Sequence, residues 1–371
     1  MSKIKIITFI TLIIFMSASV ILIRDPSLLL MIKEKQSEEL AFKYGLVNDV
    51  SDVMMRDSIQ SGVQYLMSIQ TIKGWEKHPG ITALCLRAVA GLVPEKDIAL
   101  AVGFLLSCQE DDGAFYISYS VGSALKNYTT AVSILALTEL NKLKYKVQIE
   151  KAANFLKQAQ IDESEGVSPD DPNYGGLGYS GSKKADLGNL HQALEALSAA
   201  GVSEKDKVFQ RAQVFLKRVQ GSEGEGEVED IGGFVYKPKV DDDTRASKPY
   251  GVMSFAGLKS LLLSGVDKND QRVQQALGWI ERNYSSDQHP GKGEVSFFYY
   301  HVTLAKAMNL VGSDKIAKEG KSVNWKRETV LQLIKRQRKD GSWHNPTRKY
   351  MEGLSSLATA YALLALKEAE K

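Results

Sequence analysis

The chain has 371 residues, with 47 Lys and Arg against 44 Asp and Glu, a formal net charge of +3, and 44% hydrophobic residues. That balance leaves no basic stripe for nucleic acid, and the apolar fraction is enough to bury a large core, which excludes extended disorder beyond the loops and the N-terminus. Two cysteines, Cys85 and Cys108, each sit in an apolar helical stretch, as inert buried thiols do, and make no disulfide framework.

Lys3 and Lys5 precede an uninterrupted apolar run from Ile6 to Ile23, closed by Arg24 and Asp25. Residues 1–24 therefore read as a signal peptide or an N-terminal membrane anchor. Ser17, Ala18 and Ser19 offer small residues for cleavage, while Val20 to Ile23 carry the run to a spanning length. With the lysines left in the cytoplasm, the bulk of the protein is expected outside it, exported or held at the membrane by this segment. Residues 25–57 read as a connecting helical segment, apolar at Leu28 to Ile32 and charged at Lys33 to Glu39.

From residue 58 to 371 one pattern recurs six times: an amphipathic helix, a Gly-rich turn with an aromatic residue, and a helix rich in Ala and Leu. Repetition at a period of tens of residues predicts one continuous body rather than two domains. The first helices of the pairs are expected at Ser58 to Ile69, Ile98 to Cys108, Val147 to Ala159, Val208 to Val219, Gln271 to Asn283 and Arg327 to Arg336. Each has apolar residues at three- and four-residue steps, as in Ala152, Phe155, Leu156 and Ala159. Their partners are expected at Ile81 to Ala90, Thr129 to Leu140, Leu187 to Ala199, Gly251 to Leu263, Phe297 to Leu310 and Ser355 to Leu366. These are apolar nearly all round and should lie inside. A ring of inner helices within a ring of outer ones is the natural closure, with an open solenoid as the competitor. The last helix keeps its apolar character instead of capping a stack, which favours closure. Long loops at Ile161 to Ala185 and Gln220 to Pro249 mark where function should gather.

The turns carry a resemblance. Gln337, Asp340, Gly341, Ser342 and Trp343 match closely, and Gln109 to Phe115 and Gln70 to Trp75 with small deviations, the repeat shared by squalene and hopene cyclases and prenyltransferase β subunits. Gln160 and Gln220 keep the glutamine, with Tyr174 to Tyr179 and Gly232 to Tyr236 as the same turn displaced by an insertion; the fifth copy has Tyr284 near the place of its Gln. The resemblance covers roughly residues 58–368. It implies an all-α (α/α)6 toroid and, in its central cavity, an isoprenoid or other apolar ligand.

It also directs attention to acids. Related cyclases protonate an alkene or epoxide with an Asp of a D-x-D-D motif, and the nearest run here is Asp241, Asp242, Asp243 and Thr244, lacking the leading acid because Val240 stands there. Asp242 or Asp243 is the expected general acid, since adjacent carboxylates raise one another's pKa when buried. The same run also reads as a solvated acidic loop. Asp186 is the second candidate acid and, at the start of an inner helix, is first of all an N-cap. Tyr128, His191, Tyr250, Phe255, Tyr299, Tyr300 and His301 are expected to line the cavity, because aromatic faces hold cations and apolar chains alike. No zinc set of the prenyltransferase kind accompanies either cysteine, so no metal or other cofactor is expected. Two further readings stay open: a scaffold that kept the ring without chemistry, and a polysaccharide-active (α/α)6 enzyme using Asp243, Tyr250 and His301. A Cys-Gly-Glu-Gln thioester signature is absent, and the protein partner, if any, is unspecified.

Overall fold

Outer and inner helices alternate along the computed structural model, which describes residues 52–117, 125–179, 183–222, 227–239 and 248–371. The chain divides into units 1–58 and 59–371. The expected signal or anchor, most of the connecting segment, and Asp241 to Thr244 lie outside the described residues.

The outer helices are α1 (Asp52–Ser68), α3 (Glu95–Ser107), α5 (Lys146–Gln158), α7 (Lys207–Val219), α9 (Gln271–Asn283) and α11 (Trp325–Arg336). The inner ones are α2 (Pro79–Val89), α4 (Lys126–Asn141), α6 (Leu187–Ala200), α8 (Gly251–Leu263), α10 (Phe297–Val311) and α12 (Ser355–Glu370). Burial separates the two sets. Outer α7 buries one stripe, Val208, Phe209, Ala212, Phe215, Leu216 and Val219, the spacing of a helix with one wet face. Inner α2 buries every residue from Pro79 to Val89. Asp206, Asp270 and Asn324 cap α7, α9 and α11 through their side chains, satisfying free N–H groups at the helix starts.

Each inner helix packs on the next, and α12 returns to α2. At that seam Lys367 Nζ donates to Arg87 O at 2.9 Å and Ala90 O at 3.0 Å. The unit is therefore a closed (α/α)6 toroid, as its turns implied.

The turns show why it closes. Gln109 Nε2 donates to Gly113 O in its own turn (3.1 Å) and to Gln148 O in the next outer helix (2.9 Å). Gln160 does the same with Gly175 O (2.9 Å) and Val208 O (2.8 Å), and Gln220 with Gly232 O (3.4 Å) and Arg272 O (2.8 Å). One amide thus staples the second, third and fourth repeats each to its successor. In the fifth copy Tyr284 Oη donates to Glu328 Oε2 of the following outer helix at 2.9 Å, so the phenol replaces the missing amide. Gly232 and Gly341 have φ of +85° and +83°, and a Cβ on either would overlap a carbonyl of the neighbouring outer helix, Gln275 O and Ser61 O. Because Ser61 belongs to α1, the last turn docks on the first outer helix and closes the outer ring. Trp343 Nε1 and Trp75 Nε1 donate to Leu333 O and Leu66 O, both at 2.8 Å.

The structure adds two things. A hydroxyl on the inner helix accepts the turn aromatic's backbone N–H in four repeats: Thr82 from Trp75 (3.1 Å), Thr130 from Phe115 (2.9 Å), Ser254 from Phe234 (3.1 Å) and Thr359 from Trp343 (3.0 Å). A two-stranded antiparallel hairpin, β1 (Lys315–Lys318) and β2 (Lys321–Asn324), joins α10 to α11, where only a loop was expected. Helix α1 begins at Asp52, upstream of the expected Ser58.

Candidate functional site

The inner helices all run the same way, so residues at like depth form layers. Tyr128, Tyr299 and Tyr361, from α4, α10 and α12, meet toward the N-terminal ends. The Tyr128 and Tyr361 hydroxyls are 3.1 Å apart, and the Tyr299 and Tyr361 rings lie 5.2 Å apart, centre to centre. Burial pushes the Tyr128 phenol up to about 12 and those of Tyr299 and Tyr361 well above their ordinary value, so all three are neutral. Tyr128 and Tyr299 keep part of their surface exposed although they sit among the inner helices.

Helix α6 completes this layer. Gln192 Nε2 donates to Tyr299 Oη at 3.0 Å, and His191 Nε2 lies 2.6 Å from the same oxygen. Burial holds His191 well below its ordinary pKa, so its ring is neutral. Tyr299 Oη, which can accept twice and donate once, thus joins Gln192 and His191 in one hydrogen-bonded group.

Two turns along α10 from Tyr299, the interior becomes charged. Glu195 of α6 pairs with Lys259 of α8 through Oε2 and with Lys306 of α10 through Oε1. Arg87 Nη2 of α2 lies 3.6 Å from Glu195 and 2.7 Å from Glu139 of α4. The Arg87 and Lys259 side chains are 3% and 2% exposed. Burial alone would raise the Glu195 carboxyl, but Lys259, Lys306 and Arg87 hold it well below the usual carboxylate range. Burial brings Lys259 down to about 8. Such a cluster survives in a core because its charges face one another.

Loops gather at the opposite, N-terminal end, the mouth. Asp186 caps α6: Oδ1 accepts from Asn189 N at 2.8 Å and Oδ2 from Asn189 Nδ2 at 2.9 Å. It is fully buried, and burial raises its carboxyl. Tyr236 hydrogen-bonds to it and lies 3.1 Å, oxygen to oxygen, from Tyr179 Oη. Tyr250 stands at the N-cap of α8 beside His289, with Lys292 Nζ 4.3 Å above its ring. Glu352, 1% exposed, caps α10, Oε1 accepting from Tyr299 N at 2.8 Å and Oε2 from Asn345 Nδ2 at 2.7 Å. Burial raises it to about 7.

No family model matches the sequence, and no curated protein matches it. Solved structures do. The apo type II terpene cyclase MstE from Scytonema is 14% identical over 86% of this chain and 99% of its own, with a TM-score of 0.56. A variant of that cyclase in complex with geranylgeranyl dihydroxybenzoate, its substrate, is 15% identical over 85% and 97%, TM-score 0.51. A protein from Actinoplanes is 13% identical over 85% and 100%, TM-score 0.52. The chain has a terpene-cyclase-like toroid fold.

Within this toroid the expected residues separate. Tyr128, His191 and Tyr299 come together at the centre, and Tyr250 sits at the mouth. Phe255, Tyr300 and His301 do not line the interior and are corrected to wall residues. Tyr300 Oη donates to Ser285 O at 2.7 Å, His301 lies 3.2 Å from Thr329 Oγ1 and 3.1 Å from Ser286 O, and Phe255 packs on Tyr300. The reason is helical geometry: successive residues turn by about 100°, so once Tyr299 faces inward its two successors cannot. Asp186 serves as the expected cap, whereas Asp242 and Asp243 lie outside the described residues. Sequence reasoning missed Arg87, Glu195, Lys259, Lys306, Tyr361 and Glu352. A lone charge within an apolar inner helix, as Lys259 is in α8, was the available clue.

Proposed function

We propose that the toroid takes an apolar chain of isoprenoid type into the space enclosed by its inner helices. The observation that carries this reading is the pair Tyr128 and Tyr299, part-exposed although enclosed. Neutral phenols over such a space offer flat apolar faces to a chain and a few hydrogen bonds to orient it. The related fold of MstE, solved with geranylgeranyl dihydroxybenzoate, supports the choice of an isoprenoid.

Cyclisation is the second reading. It needs a proton donor, and the described interior carboxyls are engaged: Glu195 by cations, Asp186 and Glu352 as caps. Asp242 or Asp243, with Asp186 second, remain the proposed acids. Residues 1–24 would place the toroid outside the cytoplasm, exported or tethered.

Titration of the purified full chain with geranylgeraniol or squalene in detergent tests the proposal. Saturable binding is expected, and Tyr299→Ala should weaken it at least about tenfold, some 1.4 kcal/mol. Absence of saturable binding in the unaltered chain contradicts it. Product analysis of the same mixtures, repeated with Asp242→Asn and Asp243→Asn combined, decides cyclisation: turnover that the double change leaves intact excludes those acids.

A further inference from the structure

Helix α3 departs from the other outer helices. From Ile98 to Leu106 it has no polar side chain, whereas Lys, Arg, Gln or Glu hold most of the exposed positions on α5, α7, α9 and α11. Ile98, Ala101, Val102 and Leu105 are buried. Ala99, Leu100 and Gly103 face out, Leu100 with 62% of its surface exposed. A helix apolar all round is one that is covered all round, yet among the described residues the outward side of α3 is bare.

Gly103 narrows what could cover it. Its backbone is ordinary helix, a Cβ there would meet nothing within 4 Å, and glycine weakens a helix relative to alanine. Its own fold therefore gives no reason for a glycine. Leu100 stands one turn before it on the same face, a projecting side chain beside a bare backbone. A groove of about 240 Å3 runs alongside, between Ala99, Gly103 and Leu106 of α3 and Leu140 and Tyr145 of the next connection. Leu143, in the loop between those two, is 86% exposed.

We propose that α3 is the contact face of a homodimer, in which two copies lay their α3 helices head to tail about a two-fold axis passing between Leu100 and Gly103. That axis sets Leu100 of each copy over Gly103 of the other, so one patch supplies both knob and hole, as an isologous contact requires. Glycine on a helix face permits this close approach of a second backbone. Charge agrees with the head-to-tail sense. At about 100° per residue, Lys96 falls on the line of Leu100 and Gly103. There it meets the C-terminal end of the other α3, negative by its dipole and followed by exposed Glu110 and Asp111. Glu95 and Asp97 fall to either side of that line, Glu95 lying 3.7 Å from Lys144. A bilayer would take exposed leucines but has no use for the gap at Gly103, which favours a second copy over lipid.

Sedimentation of the purified full chain in detergent, over a range of concentrations, tests the proposal. A protein mass twice the 40.9 kDa of one chain is expected. Gly103→Leu should weaken association at least about tenfold while leaving helix content by circular dichroism unchanged, because α3 itself has room for the side chain. Leu100→Gly should weaken it likewise. The exchange variant, Leu100→Gly with Gly103→Leu, moves knob and hole without removing either and should restore the dimer. Dimers that Gly103→Leu leaves intact, or an exchange variant that folds but stays apart, overturn this contact. A single chain at every concentration overturns the second copy, whether Leu100→Cys is then shielded from a thiol reagent by added phosphatidylglycerol vesicles, marking lipid, or without them, marking a segment of the same chain.

Discussion

At Gly232 the carbonyl of Gln275 occupies the room a side chain would need, and the backbone is left-handed. Gly232→Ala is therefore expected to destabilise the toroid by about 3 kcal/mol or more, combining backbone strain with overlap, as read by urea unfolding; a loss under about 0.5 kcal/mol, the level of an ordinary surface change, contradicts this account of the turn. This layer was the most legible in the sequence, because glutamine, glycine and aromatic recur at fixed spacing and each has a local task. The displaced third and fourth turns were readable for the same reason. Tyr300 and His301 were not, since an aromatic cluster at a helix start does not say which of its members faces inward.

Elements begin with caps, and the inner helices find theirs in different places. His78 Nδ1 accepts from Gly80 N at 3.1 Å in α2, Asp186 serves α6, His289 Nε2 accepts from Val252 N at 2.9 Å in α8, and Glu352 serves α10. Asp186 was legible because it adjoins its helix. Glu352 and His289 were not, because each reaches its helix from a loop of its own fold geometry rather than from the preceding residue. Glu352 makes a pH prediction. Burial raises it to about 7, against roughly 4.3 in an unfolded chain. Between those values the folded state binds more protons, so stability falls as pH rises through the window, by up to about 1.4 kcal/mol per unit. Glu352→Gln should flatten that slope between pH 5 and 7 in urea unfolding; an unchanged slope shows that Glu352 does not cause it.

On the scale of the whole toroid, closure rests on α12 meeting α2 and on Gly341 meeting Ser61. A closed ring has no weak joint, so Gly341→Val should cost as much stability as Gly232→Val, within about 1 kcal/mol, by urea unfolding. Tolerance of valine at the seam alone would mark an open stack. Apolar inner helices and the uncapped last repeat made closure legible in the sequence. The charged cluster was not, because Arg87, Glu195, Lys259 and Lys306 lie far apart in the chain and only the ring brings them together. The most direct test of the central claim is a crystal structure of the full chain grown with geranylgeraniol. The account predicts the chain in the enclosed space against Tyr128 and Tyr299; density for it on the outer helices alone, with the interior unchanged, would contradict it.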